Sequence, residues 1–236
     1  MLQRWNGPPG PDEAATTVLI DTSPDLRAQL LATRLRRVDA LLYSHDHADQ
    51  AHGIDDLRAL VYAMRRRIKT YMDAPTRASL THRFGYIFHG VDGYPPILED
   101  AGILEPHAIV RVEGPGGPIE LEPLLQDHGS ISSLGFRVGP LAYSNDCVKI
   151  AEASFARLHN LELWIVDALR RAPHPTHSHL AQSLAWIERI KPRQTILTNL
   201  HTDMDYQTLC AELPQTVVPA YDFMVIDLPI EPHHFP

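Results

Sequence analysis

The feature that most constrains this chain is an abrupt change at residue 45, where the apolar run Val38-Asp39-Ala40-Leu41-Leu42-Tyr43-Ser44 meets His45-Asp46-His47-Ala48-Asp49-Gln50. The run suits a short buried strand, whereas imidazoles and carboxylates are costly to bury without partners. The strand therefore ends at the cluster and presents it at its C-terminal edge, where a rigid element delivers side chains to a site. Side chains alternate along extended backbone, so His45 and His47 point the same way and Asp49 continues the series. One short segment then reaches two adjacent metal ions.

The same juxtaposition recurs at Leu125-Gln126-Asp127-His128-Gly129, Ser144-Asn145-Asp146 and Asn199-Leu200-His201. Each places His or Asp directly after a buried apolar run. Taken singly, each such residue reads as a hydrogen-bonded core or surface group. As a set, His45, His47, Asp49, His128, Asp146 and His201 supply nitrogen and oxygen donors that suit Zn²⁺, Mn²⁺ or Fe²⁺ better than a thiolate set would.

The surrounding pattern alternates strand and helix. Residues 17–22 read as a strand, and Ser23-Pro24-Asp25 supplies a cap and a first-turn proline for a helix over 26–33. From Gly53 onward Ile54, Leu57, Leu60, Val61 and Met64 recur at helical spacing. A strand over 68–72 and a helix over 75–84 follow. Residues 89–106, with Gly93-Tyr94-Pro95-Pro96, have no clear period and read as a long surface loop, either a lid or a plain connection. Short runs at 108–112, 119–125, 135–138 and 141–144 suggest hairpins or a meander. Strands at 161–166 and 195–200 then alternate with helices at 180–190 and 205–213, and 223–228 reads as a closing strand. This order suits an α/β chain with two packed sheets and outer helices, read as one domain over residues 1–236 with an irregular Pro/Gly-rich leader over 1–15.

Composition excludes several function classes. Twenty-one Lys and Arg against 29 Asp and Glu leave a net charge of −8, which argues against a broad nucleic-acid-binding face. The cluster Arg65, Arg66, Arg67 and Lys69 at a helix end reads as a solvated, favourably charged C-terminus. Two cysteines are too few for a disulfide scaffold, no apolar run is long enough to span a bilayer, and the start lacks a signal-peptide core. A cytoplasmic protein with no membrane partner is the expectation. Oligomeric state is open, a homodimer included.

The segment Ser44-His45-Asp46-His47-Ala48-Asp49 resembles the His-x-His-x-Asp-His signature of the metallo-β-lactamase superfamily, and His128, Asp146 and His201 arrive in the order of that family's remaining ligands. The resemblance runs from about Val18 to Leu228. Within the superfamily the chain is similar to the branch containing the phosphonate-pathway cyclic phosphodiesterase, through Asp46, Gly53-Ile54-Asp55-Asp56-Leu57-Arg58, His174-Pro175-Thr176-His177 and Thr198-Asn199-Leu200-His201-Thr202-Asp203. The resemblance implies an αββα sandwich of two mixed sheets. It implies two divalent ions, Zn²⁺ or Mn²⁺, with His45, His47 and His128 on the first, Asp146 bridging, and Asp49 with His201 on the second. It makes His177 and Asp49 the candidate catalytic residues, His177 as proton donor to the leaving group, with His174 its rival in the same motif. Gln50 departs from the signature, which places a histidine there, so the second ion is expected to bind more weakly.

These implications add up to a metal-dependent phosphodiesterase acting on a small phosphoester, cyclic ones included, through activated water. Asp21, ending the first strand, either orients a ligand histidine or is a turn carboxylate. Two rivals remain: a thioester hydrolase of glyoxalase II type, and a degenerate non-catalytic metal-binding domain motivated by Gln50. Asp146 argues against a β-lactamase, since the resembling lactamases place cysteine there.

Overall fold

Most of the buried apolar runs form strands where the sequence places them, and several of those strands end on polar residues. In the computed structural model, which describes residues 1–228, the chain divides into two compact units, Met1–Pro123 and the portion from Leu124 onward.

The first unit holds a five-stranded mixed sheet, in order β1 (Leu2–Arg4), β2 (Thr16–Ile20), β3 (Ala40–Leu42), β4 (Ile68–Met72) and β5 (Leu98–Ile103). β1 runs antiparallel to β2 with Leu2 opposite Val18, and the remaining neighbours are parallel, with Val18 opposite Ala40 and Leu41 opposite Thr70. Parallel neighbours require crossovers. These are α1 (Leu26–Thr33), α2 (Ala48–Ala51) leading through a 3-10 turn at Ile54–Leu57 into α3 (Arg58–Met64), and α4 (Ala74–Arg83) with α5 (Gly85–His89). Leu41, Tyr43, Ile54, Leu57, Ile68, Met72, Leu80 and Ile87 are fully enclosed in the core.

Three expectations are corrected here. The leader is not wholly irregular, because Leu2–Arg4 completes the free edge of β2. The cap of α1 is Asp25, which makes no side-chain capping bond, while the Ser23 carbonyl accepts from the Leu26 amide at 2.9 Å. The stretch read as a loop over 89–106 contains β5, whose Leu98 is buried and whose ladder with β4 shifts register between Thr70 and Tyr71.

The second unit contains the end of β7 (Ile119–His128), then β8 (Ile131–Val138), β9 (Leu141–Ser144), β10 (Lys149–Ile150), β11 (Leu163–Asp167), β12 (Gln194–Thr198) and β13 (Val217–Pro219); the preceding β6 (Val110–Val112) pairs with the start of β7. The order is β10-β7-β8-β9-β11-β12-β13, antiparallel from β8 to β9 and parallel from β9 through β13. Helices α6 (Glu152–Phe155), α7 (Leu180–Ile190) and α8 (Tyr206–Glu212) accompany these strands. The α7 stripe of Leu180, Leu184, Ile187 and Ile190 packs on a core containing Trp164, Val166 and Leu197, and the helix ends in left-handed Lys191 before Pro192. Asp205 caps α8 by accepting from the Thr208 amide at 2.8 Å.

The closing strand is also corrected. It lies at Val217–Pro219, with Val217 buried opposite Thr195, whereas residues 223–228 form no strand and leave Phe223 and Val225 exposed. Among the described residues no helix is long and apolar enough to cross a membrane.

Candidate metal centre

In the first unit the site begins at β3. Its parallel neighbours direct the chain out at one edge, and His45 follows three residues after Leu42. His45 is buried, while His47 and Asp49 are exposed. The two imidazoles meet edge to face with centroids 4.6 Å apart.

Behind them Asp21 follows β2 in left-handed backbone (φ 63°), a conformation that Asp tolerates better than most residues. Its Oδ1 accepts from the Ser44 amide at 2.7 Å and its Oδ2 from the Ser44 hydroxyl at 2.7 Å. The single Ser44 proton is thereby committed to the carboxylate, so toward His45 Nδ1, 3.0 Å away, the hydroxyl can only accept. That places the ring proton on Nδ1 and the lone pair on Nε2, the tautomer a metal-ligating histidine requires. Of the two readings left open for Asp21, the geometry favours orientation of His45 through Ser44. Gln50, on α2, donates from Nε2 to Asp49 Oδ2 at 3.2 Å.

In the second unit β7 is longer than expected and carries His128 as its last residue, buried, with Gly129 (φ +78°) turning the hairpin. A Cβ at Gly129 would fall 2.5 Å from Thr176 Cγ2, so only glycine fits this approach. The approach brings the Thr176 carbonyl 2.7 Å from His128 Nδ1, which fixes the ring proton there.

Asp146 follows β9 in left-handed backbone (φ 48°), held by Ser133, whose hydroxyl donates to the Asp146 carbonyl at 2.8 Å. Asn199, after β12 and also left-handed (φ 62°), donates from Nδ2 to Asp146 Oδ1 at 2.6 Å.

Asp167, at the end of β11, is the residue sequence reasoning missed. Its Oδ2 accepts from His177 Nδ1 at 2.9 Å and from the Cys147 amide at 3.1 Å, and its Oδ1 is buried with no hydrogen-bond partner among the described residues. Ligand atoms of Asp146, Asp167 and His177 lie within 4.8 Å of one another, so this group could hold a metal ion. A carboxylate closing a buried strand shortly before a histidine pair was the signal available. The His177 ring lies 4.7 Å from that of His128 and 5.1 Å from that of His174. Desolvation, then the Arg170 guanidinium, hold the His174 imidazole below its ordinary range. Burial, then Asp167 and Asp146, push the Cys147 thiol far up.

His201 is not a member of the Asp146–Asp167–His177 group. It is exposed, with Nδ1 3.1 Å from Asp203 Oδ1.

With this geometry in place, comparison with known proteins defines the class: the chain belongs to the β-lactamase superfamily, whose domain model matches residues 16–199. Its fold is that of this superfamily, and its His and Asp groups could hold a metal ion. More particularly, it is 31% identical to a structurally characterised diphosphatase from the PhnP family, with a TM-score of 0.80 over 89% of this chain and 79% of that one. It is 30% identical over 214 residues to an octanoyltransferase of Porphyromonas gingivalis (strain ATCC BAA-308 / W83), covering 89% of this chain but spanning only 42% of that protein. It also shares its fold with zinc-bound PqqB from Methylobacterium extorquens (16% identity, TM-score 0.69, covering 92% of this chain and 84% of that one). The expected α/β architecture with two mixed sheets is borne out.

Proposed function

We propose that this chain is a metal-dependent phosphodiesterase acting on a small phosphoester, cyclic substrates included. The observation that carries the reading is the Asp167–His177 pair beside Asp146. A thiolate leaving group departs without a proton, because thiols are fairly acidic, near pKa 8.5. An alkoxide is far more basic and needs one. An imidazole held by a buried carboxylate is suited to give that proton from Nε2, and it is better placed than His174, whose surroundings disfavour the charged form. The pair thus favours an ester of phosphorus over a thioester. The 31% identity to a PhnP-family diphosphatase supports the same bond class and keeps diphosphates among the candidate substrates.

The residues present fit metal ions: the imidazole and carboxylate donors match the family, and His45 and His128 each have the Nδ1 proton assigned by a fixed acceptor. By the resemblance, His45, His47, His128 and Asp146 would serve a first ion, and Asp49 and His201 would serve a second, weaker one beside Gln50. When bound, such ions supply Lewis acidity toward a phosphoryl oxygen and make water more acidic. Asp21 and Ser44 orient His45, Thr176 orients His128, Asn199 orients Asp146, and Asp167 orients His177. Zn²⁺ and Mn²⁺ both suit this donor set.

The test compares two phosphodiesters on metal-loaded protein. His177→Ala should slow an unactivated alkyl diester by about 10² to 10⁴-fold while slowing bis(p-nitrophenyl) phosphate, whose leaving group needs little protonation, much less. Equal losses on both would remove His177 from proton donation.

A further inference from the structure

Ser44 and Asp46 flank His45 within the segment that carries both imidazoles, and each is tied to a different element. Ser44 is tied to Asp21, which directly follows β2. Asp46 is tied to α4, where the Ser79 hydroxyl donates to Asp46 Oδ2 at 2.5 Å and the Arg83 guanidinium donates to the Asp46 carbonyl at 2.5 Å. The same end of α4 also touches the far side of the motif. The Arg83 guanidinium lies 5.3 Å from the Phe84 ring, and that ring meets His52, at the C-terminal end of α2, edge to face at 5.9 Å. Ser79, Arg83 and Phe84 therefore hold the chain on both sides of α2, at Asp46 before it and at His52 after it.

We propose that Asp46 is a positioning residue, and that Ser79 and Arg83 of α4 act through it to fix the spacing of the two imidazoles on which metal binding depends. Neither Asp46 nor α4 supplies a ligand atom in this arrangement. The last ladder bond before α2 is that from the Tyr43 amide to the Tyr71 carbonyl at 3.0 Å, and residues 45–47 belong to no strand or helix, so without this tie the His45 and His47 side chains would sample more geometries and an ion would have to pay for ordering them. Partners that hold metal ligands in place typically contribute about 10 to 100-fold in metal affinity. The inference rests on the reading of His45 and His47 as metal ligands.

The test measures dissociation constants for Mn²⁺ and Zn²⁺ by competition with a chromophoric chelator, together with the visible spectrum of the Co²⁺-loaded protein and thermal unfolding of the metal-free protein. Asp46→Ala and Ser79→Ala are each expected to weaken the first ion by about 10 to 100-fold and to shift the Co²⁺ bands. Asp46→Asn keeps a side-chain carbonyl that can accept from Ser79, so it should restore affinity to within about threefold of wild type, far inside that range. Wild-type affinity and spectrum in both alanine variants would overturn the proposal, even if they unfold at lower temperature. His45→Ala separates the two levels: if it too binds ions normally, the ligand assignment fails. If it abolishes binding while Asp46→Ala does not, only the positioning role of α4 fails.

Discussion

Replacing Asp167 with asparagine preserves shape while removing charge, and its consequences follow from the bonds around it. The carboxylate is fully buried, with Oδ2 taking hydrogen bonds from His177 Nδ1 and the Cys147 amide, and Oδ1 taking none among the described residues. An asparagine carbonyl in the Oδ2 position keeps both bonds but puts its NH₂ where Oδ1 was, a buried donor without an acceptor, at about 1–3 kcal/mol. The flipped amide is worse, because its NH₂ would face the Cys147 N–H and force the Nδ1 proton off His177. The first orientation should prevail, with a loss of stability of about 1–3 kcal/mol, or roughly 2–12 °C in Tm for a chain of this length. In that orientation the bond to His177 falls from charge-assisted, about 1.5–3 kcal/mol, to neutral, about 0.5–1.5 kcal/mol. A difference near 1–1.5 kcal/mol corresponds to a loss of about five- to tenfold in kcat on an alkyl phosphodiester. Steady-state kinetics and calorimetry on Asp167→Asn, His177→Ala and the double variant provide the assay. The double variant should be no slower than His177→Ala alone, because Asp167 acts through the imidazole. A further tenfold loss in the double variant would refute that reasoning, as would an Asp167→Asn enzyme with wild-type kcat.

Three other outcomes are expected. Gln50→His should tighten the second ion by about tenfold or more, read as metal equivalents retained after gel filtration, since imidazole replaces an amide that donates to Asp49. Burial raises the Tyr43 phenol far above its ordinary range, so the folded state keeps its proton while the unfolded state loses it above about pH 10. Stability should fall there by about 1.4 kcal/mol per pH unit from this group, and denaturant titrations of Tyr43→Phe should show a flatter alkaline limb. Asp39 is buried and accepts from the Thr17 amide at 2.9 Å, from Arg37 at 2.6 Å and from Arg66 at 2.6 Å. With both guanidiniums partly solvated, Asp39→Ala should destabilise mainly through the stranded Thr17 amide, by about 1–3 kcal/mol in urea unfolding.

Much of the site was legible because buried strands end abruptly on polar residues. The apolar runs before His45, Asp146 and His201 are short, and the polar residues after them have few other reasons to be there. Asp21 and Asp146 have left-handed backbone, and Asn199 shares it, so residue types at strand ends carried conformational as well as chemical information. Asp167 escaped because it belongs to its strand, continuing the run Leu163-Trp164-Ile165-Val166, and only tertiary packing against His177 exposes its role. β5 escaped because Leu98-Glu99-Asp100-Ala101-Gly102-Ile103 has poor strand propensity and no alternation, and pairing with β4 makes it a strand. The closing strand was misplaced because Val217-Val218-Pro219 is too short to show a period, whereas Phe223, Val225 and Ile226 look strand-forming yet Phe223 forms a turn with Asp222 and residues 224–228 join no strand. His201 was legible as a strand-end histidine, but its exposed bond to Asp203 was not.

The most direct measurement is turnover by protein loaded with Mn²⁺ or Zn²⁺ on a panel of cyclic and linear phosphodiesters, a diphosphate and the thioester S-lactoylglutathione, with kcat/KM compared across the panel. Preference for a phosphodiester, lost with chelator and restored by the ion, is the expected result. Preference for the thioester, or metal-loaded protein that hydrolyses no phosphorus ester, would contradict it.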